Sequence, residues 1–308
     1  MTHIALLSQT SKLDYLGPML QEAVPALRYS VWPDPACLDA DVAVCWNTPP
    51  GLYERMPRLR LVHSIAAGVD NILPGTASAG LPVCRVVDEG LTRGMVEYVL
   101  WAVLYFHRSF DTALRQQRTR TWHRPTLRLA CDCRVGVMGM GRLGRSVAAA
   151  LRNQGYRVSG WARSAHAIEG VQVHTGQEAL DGFLAHTDIL VNLLPLTADT
   201  RGILNESLFS RLPAGAALVG CGRGEHLVVE ALVAALRRRH LRGAVLDVFP
   251  QEPLTGDSPL WAMPEVVITP HMATMASPQA VVQQVSENIR RLQQGQPLIN
   301  LVDVARGY

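Results

Sequence analysis

The feature that most constrains the fold of this sequence is a series of short apolar runs separated by stretches with helical patterning. The first series comprises HIALLS (3–8), DVAVCWN (41–47), LRLVHSI (59–65) and LPVCRVV (81–87). The second comprises RVGVMGM (134–140), YRVSGW (156–161), DILVNLLP (188–195), AALVGCG (216–222), GAVLDVF (243–249) and VVITPHM (266–272). Several runs are apolar throughout, as strands covered on both faces are. Strands that alternate with helices predict parallel α/β sheets.

The predicted helices divide the chain into two domains. The segment 92–118 is predicted to form one helix long enough to bridge them, and the last helix, roughly 278–294, could return to the first domain. A chain of 308 residues has room for two domains that each bury a core. The predicted fold class is α/β, with two Rossmann-like, doubly wound parallel-sheet domains and a substrate cleft between them. We expect a flavodoxin-like substrate-binding domain over 1–98 plus 280–308, and an inserted dinucleotide-binding Rossmann domain over 99–279.

Composition narrows the classes of function. Nearly half of the residues are hydrophobic and only 18% are charged, which indicates a folded globular protein. The small net charge of +3 is spread along the chain and does not favour nucleic-acid binding. The longest apolar run, 98–106, is too short to span a bilayer, and the N-terminus lacks a secretory pattern. We therefore expect a cytoplasmic protein without a membrane or nucleic-acid partner.

Two residue types exclude further chemistry. The only lysine, Lys12, lies in no motif for Schiff-base catalysis or for a Walker phosphate loop. The six cysteines do not have the paired spacing of a tetrahedral metal site, so we expect free thiols and no metal.

A glycine fingerprint opens the second series of strands. GMGRLG, from Gly139 to Gly144, follows a strand-like run and precedes a helix predicted from Arg142 to about Asn153. In that context Gly139 permits a tight turn, Gly141 lets the backbone approach a pyrophosphate, and Gly144 allows close packing of helix and strand. The helix N-terminus would supply amide donors to the phosphates.

The position that usually selects the cofactor carries an arginine. About twenty residues after the fingerprint, NAD enzymes place an acid that binds the ribose 2′-hydroxyl. This chain has Trp161, Ala162, Arg163 and Ser164 there. A guanidinium can hold a 2′-phosphate through charge-assisted hydrogen bonds, so NADP(H) is predicted, with NAD(H) possible.

Three charged residues follow later strands of the same predicted sheet. Arg223 lies in VGCGRGEH, Glu252 in LDVFPQEPL and His271 in VITPHMA. Because open α/β sheets bind ligands outside the carboxyl ends of their strands, we expect these side chains to meet at one edge.

Together with GMGRLG, these motifs resemble the D-2-hydroxyacid dehydrogenase family in order and spacing, most closely its bacterial glyoxylate/hydroxypyruvate reductase A group. The resemblance implies that Arg223 binds the substrate carboxylate and keto oxygen. It implies that His271 is the general acid and that Glu252 holds the imidazole and favours its charged form. A histidine suits proton transfer near neutral pH, and an arginine stabilises oxygen charge that grows in the transition state.

The resemblance also implies further binding residues and a homodimer. The predicted cofactor-binding residues are Gly139, Met140, Gly141, Arg142, Leu143, Gly144, Trp161, Arg163, Ser164, Leu194, Pro195, Cys221 and Asp247. The predicted substrate-binding residues are Trp46, Ala67, Gly68 and Arg223. One departure is Gly220, which stands where the family commonly has asparagine. Smaller residues there could loosen the positioning of Arg223.

The function predicted from these residues is NADPH-dependent reduction of small 2-oxo acids such as glyoxylate and hydroxypyruvate. Two alternatives stay open at this point. One is a dehydrogenase for a bulkier D-2-hydroxy acid, and the other is a non-enzymatic protein that senses a dinucleotide.

Overall fold

The computed structural model describes residues 1–76, 79–164, 168–304 and 306–307. The chain divides into two compact units. The first unit comprises Met1–Leu91 and Met275–Tyr308, and the second comprises Thr92–Thr274. The boundaries predicted at 98/99 and 279/280 lie a few residues further along the chain. The function assigned to each domain stays a prediction at this stage.

The described residues form strands and helices in an alternating order. The strands are β1 (His3–Ser8), β2 (Arg28–Val31), β3 (Val42–Trp46), β4 (Leu61–Ser64), β5 (Val83–Cys84), β6 (Arg134–Met138), β7 (Arg157–Ala162), β8 (Gln172–Thr175), β9 (Ile189–Asn192), β10 (Ala216–Gly220), β11 (Leu241–Leu246) and β12 (Val266–Ile268). The α-helices are α1 (Leu16–Ala23), α2 (Glu89–His107), α3 (Phe110–Arg118), α4 (Arg142–Asn153), α5 (Leu180–Ala185), α6 (Glu206–Arg211), α7 (Val229–Arg237) and α8 (Pro278–Gln294). None of the helices formed by these residues is long and apolar enough to cross a bilayer.

Each unit contains one parallel sheet. The first sheet has the order β2-β1-β3-β4-β5, and the second has the order β12-β11-β10-β9-β6-β7-β8. All of their strand pairs are parallel. The predicted α/β class with two doubly wound sheets is confirmed.

Both faces of each sheet carry a hydrophobic core, which explains the unbroken apolar runs. Along β1, Ile4 and Leu6 enter one cluster of buried side chains while Ala5 and Leu7 enter another. Neighbouring residues of the central strands β9 and β10 are divided in the same way between two clusters in the second unit. Successive side chains of a strand point to opposite faces, so a strand covered twice must be apolar at every position.

The prediction of a single helix over 92–118 is wrong. The helix α2 ends at His107, and Ser109 adopts a left-handed conformation (φ +58°) before α3 begins at Phe110. A residue with positive φ cannot continue a right-handed helix. Each of the two shorter helices therefore has its own axis.

Candidate active site

The glycine fingerprint forms the turn between β6 and α4. Gly139 has a φ of +95°, and a Cβ at this residue would lie 2.6 Å from the carbonyl oxygen of Leu193. A Cβ at Gly144 would collide with the carbonyl oxygen of Gly139. A Cβ at Gly141, by contrast, would meet no described atom within 4 Å. Two of the glycines thus allow close packing, and the third leaves open space at the N-terminus of α4, where a pyrophosphate could approach the backbone.

The side chains between these glycines point in different directions. Met140 is buried and contacts Gly160, where a Cβ would lie 2.6 Å from the methionine sulfur. Arg142 is exposed in the first turn of α4, and Leu143 packs partly against the core. Because its side chain is buried, Met140 can contact a dinucleotide only through its backbone.

The end of β7 presents the arginine predicted to select the cofactor. Trp161 is buried, and its indole N–H donates to the carbonyl oxygen of Gly176 at 2.9 Å. The backbone carbonyl of Trp161 accepts a hydrogen bond from Gly139 N–H, which ties this strand to the glycine turn. Arg163 and Ser164 follow directly and are exposed. Their position, two residues beyond that tie, fits contact with an adenosine ribose or its phosphate.

The loops after β9 and β10 are joined by a buried histidine. The backbone N–H of Arg223 donates to His226 Nδ1 at 3.0 Å, so Nδ1 is the unprotonated nitrogen. His226 Nε2 then donates to the carbonyl of Pro195 at 3.3 Å, and Asn192 Nδ2 lies 3.1 Å from Nδ1. Leu194, also buried, donates its N–H to Asn192 Oδ1. These hydrogen bonds of His226 could not be predicted from the sequence, since a lone histidine near a helix start is usually structural.

Arg223 lies at the end of β10 and is half-buried. Its Nη1 donates to the carbonyl of Gly222 at 3.0 Å. Gly224 allows this turn to pack against the Phe249 backbone, because a Cβ at position 224 would collide with it. A Cβ at Gly220 would lie 3.1 Å from Leu246 Cδ2, so the asparagine common in the family would require that leucine to move.

His271 and Glu252 form a hydrogen-bonded pair. His271 Nδ1 lies 2.8 Å from Glu252 Oε2, and each side chain is about one-third exposed (33% and 36%). The other carboxylate oxygen, Oε1, accepts the backbone N–H of Phe249 at 2.9 Å. Because Nδ1 faces Glu252, the ring can exchange a proton with a substrate through its opposite nitrogen, Nε2.

Opposing effects set the protonation of Glu252. Its partial burial acts to raise the pKa of the carboxyl group, but the hydrogen bonds from His271 and from Phe249 N–H lower it, as do the charges of His271 and Arg223. The net pKa is lower than that of an ordinary glutamate, so Glu252 is an anion at neutral pH. The charge of Arg223 thus acts on the same carboxyl group as His271.

Asp247 and Cys221 lie deeper in the same edge. The Asp247 carboxylate is buried and accepts hydrogen bonds from Thr269 Oγ1 (2.6 Å), Met272 N–H (2.9 Å) and Ala273 N–H (2.9 Å). Burial, together with the nearby Asp247, raises the pKa of the Cys221 thiol well above its ordinary value, so this thiol stays neutral. The contact predicted between Asp247 and a nicotinamide stays a prediction.

In the first unit, the predicted substrate-binding residues share the carboxyl edge of its sheet. Trp46 ends β3, while Ala67 and Gly68 follow β4. Ser64 Oγ accepts the Ala66 N–H at 3.0 Å and donates to the Gly68 carbonyl at 2.9 Å, which shapes the turn. The amide N–H groups of Ala67 and Gly68 have no acceptor among the residues described, as a small anion nest requires.

No set of three His, Cys, Asp or Glu side chains in the described part of the chain is arranged to hold a metal ion. The polar groups gathered at the edge of the second sheet are instead an acid–base pair, an arginine and a glycine turn. That set suits proton transfer to a substrate oxygen beside a dinucleotide.

Known proteins resemble this chain in both sequence and fold. Residues 100–273 match the family model "D-isomer specific 2-hydroxyacid dehydrogenase, NAD binding domain". The glyoxylate/hydroxypyruvate reductase A of Yersinia enterocolitica is 39% identical over 295 residues, which cover 94% of each chain. A D-isomer specific 2-hydroxyacid dehydrogenase family protein from Klebsiella pneumoniae superposes with a TM-score of 0.94 at 48% identity, covering 99% of this chain and 98% of the other.

A further solved structure is that of the NADPH-dependent glyoxylate/hydroxypyruvate reductase of Sinorhizobium meliloti in complex with NADP and sulfate. It has a TM-score of 0.91 and 35% identity, and the match covers all of both chains. The family model spans more than half of this chain, and the relatives match it over nearly its whole length. The chain therefore belongs to the D-isomer specific 2-hydroxyacid dehydrogenase family, whose members are nicotinamide-dependent enzymes.

Proposed function

We propose that this protein reduces small 2-oxo acids, glyoxylate and hydroxypyruvate among them, to 2-hydroxy acids with NADPH. The observation that carries the proposal is the 2.8 Å hydrogen bond between His271 and the Glu252 carboxylate, with the charge of Arg223 beside it. An imidazole hydrogen-bonded to a carboxylate can protonate an oxygen, and a guanidinium can stabilise the charge of that oxygen in the same step.

The contacts of these residues support the following roles. The dihydronicotinamide, when bound, supplies a hydride to the carbonyl carbon of the substrate. As the C=O π electrons move onto oxygen, His271 Nε2 gives that oxygen its proton, and the ring becomes neutral. Glu252, through its hydrogen bond to Nδ1, fixes the orientation of the ring. Arg223 binds the carboxylate and the oxygen on which charge develops.

The preference for NADPH is supported by the end of β7. Arg163 and Ser164, the two described residues that directly follow the strand, are exposed, and neither is an acid that would repel a 2′-phosphate. The structurally similar reductase of Sinorhizobium meliloti is described as NADPH-dependent and was solved with NADP. The open space at Gly141 and the N-terminus of α4 would receive the pyrophosphate.

The preference for a small substrate is supported in the first unit and by the relatives. Trp46 ends β3, and Ala67 and Gly68 follow the neighbouring strand β4, so a bulky residue and the turn proposed to bind the substrate carboxylate follow adjacent strands. The relative from Yersinia enterocolitica carries the name glyoxylate/hydroxypyruvate reductase A.

We also propose that the protein is a homodimer built through the second unit. Large apolar side chains are exposed on α2, on α3 and on the segment 119–130; they are Trp101, Leu104, Phe110, Leu114, Trp122, Leu127 and Leu129. Exposed apolar side chains concentrated on consecutive elements of the chain are typical of a protein–protein interface. Light scattering should give twice the mass of one chain, and a monomer at micromolar concentration would contradict the proposal.

The experiment that tests the function is steady-state oxidation of NADPH and of NADH, each with glyoxylate and with hydroxypyruvate. Fast turnover with NADPH and slow turnover with NADH would support both the reaction and the role of Arg163. Fast turnover with NADH would keep the reaction and remove the argument from Arg163. The variant His271→Ala should still bind NADPH but lose turnover by about two to four orders of magnitude; normal turnover would remove the assigned acid.

A further inference from the structure

The loop that carries His271 holds an unfavourable backbone conformation. His271 has a φ of +51°, in the left-handed region that is unfavourable for a residue with a side chain. Such a conformation persists only where the surroundings enforce it. The loop connects β12 to α8 and belongs to neither element. The restraints on its backbone therefore come from contacts with other parts of the chain.

Asp247 supplies several of these restraints. Its carboxylate takes hydrogen bonds from Thr269 Oγ1 and from the N–H groups of Met272 and Ala273. Its backbone carbonyl accepts the N–H of His271 at 2.8 Å. One residue thus bonds the loop on both sides of the catalytic histidine.

The Thr269 hydroxyl carries a second bond whose direction can be assigned. Its single hydrogen goes to Asp247 Oδ1 at 2.6 Å, so Thr269 Oγ1 can only accept from the hydroxyl of Tyr98, which lies 2.6 Å away. The result is a directed chain from Tyr98 O–H to Thr269 O–H to Asp247. Burial raises the pKa of Tyr98, which keeps its hydroxyl protonated and able to donate.

Helix α2 contacts the loop at a second point one turn earlier. A Cβ at Gly94 would lie 2.8 Å from Thr274 Oγ1, so the glycine lets the helix pass close to the end of the loop. Residues 94 and 98 are four apart and lie on one face of the helix. Because Tyr98 and Thr269 also share partly buried positions in the second unit, their bond is shielded from competing water.

From these contacts we infer that Tyr98 and Thr269 are positioning residues that fix His271 for proton transfer by orienting the Asp247 carboxylate. The inference rests on the proposed function for its catalytic consequence. The ordering of the loop itself does not depend on that function. Neither residue touches the substrate in this scheme, and both act through Asp247.

The test uses single-turnover oxidation of bound NADPH by the full-length protein, which isolates the chemical step from product release. Thr269→Val keeps the shape and removes both hydrogen bonds, and it should slow the step by about 10–100-fold. Tyr98→Phe removes one bond and should slow it by about 3–10-fold. Thr269→Ser keeps the hydroxyl and should stay within about twofold of the wild type, with KM for NADPH and for glyoxylate changed less than about twofold in all three variants.

Two controls separate positioning from general damage. Tyr105→Phe removes a tyrosine hydroxyl from the same helix two turns further on, and it should leave the rate unchanged. The double variant Tyr98→Phe with Thr269→Val should be no slower than Thr269→Val alone, because the two residues act in series. Equal rates for Thr269→Val and Thr269→Ser would overturn the inference, and so would full additivity in the double variant.

Hydrogen exchange gives a readout that needs no activity. The amides of Met272 and Ala273 should exchange faster in Thr269→Val and in Tyr98→Phe than in the wild type or in Tyr105→Phe. Unchanged exchange overturns the inference whatever the kinetics show. Faster exchange with a normal rate of chemistry overturns the link to catalysis. If the wild type reduces neither acid, the proposed function fails, while the exchange rates still decide whether these residues hold the loop.

Discussion

Replacing Glu252 by glutamine gives the sharpest test of the acid–base pair. Both oxygens of the Glu252 carboxylate are in use, one by His271 Nδ1 and the other by Phe249 N–H. A carboxamide of the same shape has a single acceptor oxygen, so it cannot accept hydrogen bonds both from Phe249 N–H and from an Nδ1 that carries a hydrogen. The substitution Glu252→Gln therefore removes the negative charge and one hydrogen bond without creating a cavity.

The size of the effect follows from the exposure of the pair. Unit charges about 4 Å apart interact by roughly 4 kcal/mol at an effective dielectric constant of about 20. Both side chains are about one-third exposed, so solvent screening reduces this to about 1–2 kcal/mol. The expected loss is roughly 5–30-fold in the rate of 2-oxo acid reduction near pH 8.

The pH dependence distinguishes this mechanism from a structural defect. The Glu252 carboxyl group is charged at neutral pH, so the loss in Glu252→Gln should be complete there and should shrink only as pH falls through the lowered pKa of Glu252. In the wild type the pKa of Glu252 is lowered, so its contribution is present above the ordinary pKa of a glutamate and is lost only as pH falls through the lowered value.

The assay is kcat/KM for glyoxylate with NADPH, measured from about pH 8 down through the lowered pKa of Glu252. Glu206→Gln is the matched control, because Glu206 also pairs with a basic side chain, Arg238 at 3.0 Å, but on the exposed surface. That variant should match the wild type at every pH. A loss in Glu252→Gln that is the same at all pH values would refute the reasoning, as would normal activity throughout.

Three further predictions concern the cofactor, the glycine turn and acid stability. Arg163→Asp should raise the KM for NADPH by about 10–100-fold and change the KM for NADH little, as charge-assisted bonds to a 2′-phosphate require; equal losses in the two titrations would place the phosphate elsewhere. Gly141→Ala should keep the melting temperature but weaken NADPH binding in a fluorescence titration, whereas Gly144→Ala should lower the melting temperature itself because its Cβ collides with backbone. Burial lowers the pKa of His63 to about 4, so the unfolded chain takes up a proton that the folded chain does not, and stability should fall by about 3 kcal/mol as pH drops from about 6.5 to 4. Urea unfolding should show this slope in the wild type and in the exposed-site control His186→Gln, but not in His63→Leu.

The regular elements could be predicted where the sequence carries both a period and its end signals. Helix α8 runs from Pro278 to Gln294 as predicted, because Ser277 caps its N-terminus and Gly295 adopts the left-handed conformation at its end. Ser109 interrupts the segment 92–118 with the same left-handed conformation. Serine is not a typical residue for this conformation, as glycine is, so the end of the helix could not be predicted.

The strands that were missed lie at sheet edges. The strands β2 and β8 each end the order of their sheet, and their residues are exposed or only half-buried. RYSV and QVHT therefore lack the continuous apolar run that marked the central strands. The run LPVCRVV is apolar enough to predict a strand, but the strand that forms there, β5, comprises only Val83 and Cys84.

The site divides in a similar way. Arg223, Glu252 and His271 could be found because each follows an apolar strand in a motif of fixed spacing. The contacts that hold them could not, since Tyr98 and Thr269 are 171 positions apart and Asn192 and His226 are 34 apart. Side-chain hydrogen bonds between distant residues leave no period in a sequence. They become visible only when the sheet brings the strand ends together.

The setting of Trp161 has an optical consequence. Its indole is only 8% exposed and lies on the strand tied to the glycine turn, whereas Trp122 is fully exposed and Trp261 more than half exposed. A water-soluble quencher such as acrylamide would quench the fluorescence of the exposed indoles strongly and that of Trp161 only weakly. Indole emission overlaps the absorption band of a dihydronicotinamide, so energy transfer from Trp161 would report, without any added label, when a reduced dinucleotide occupies the second unit.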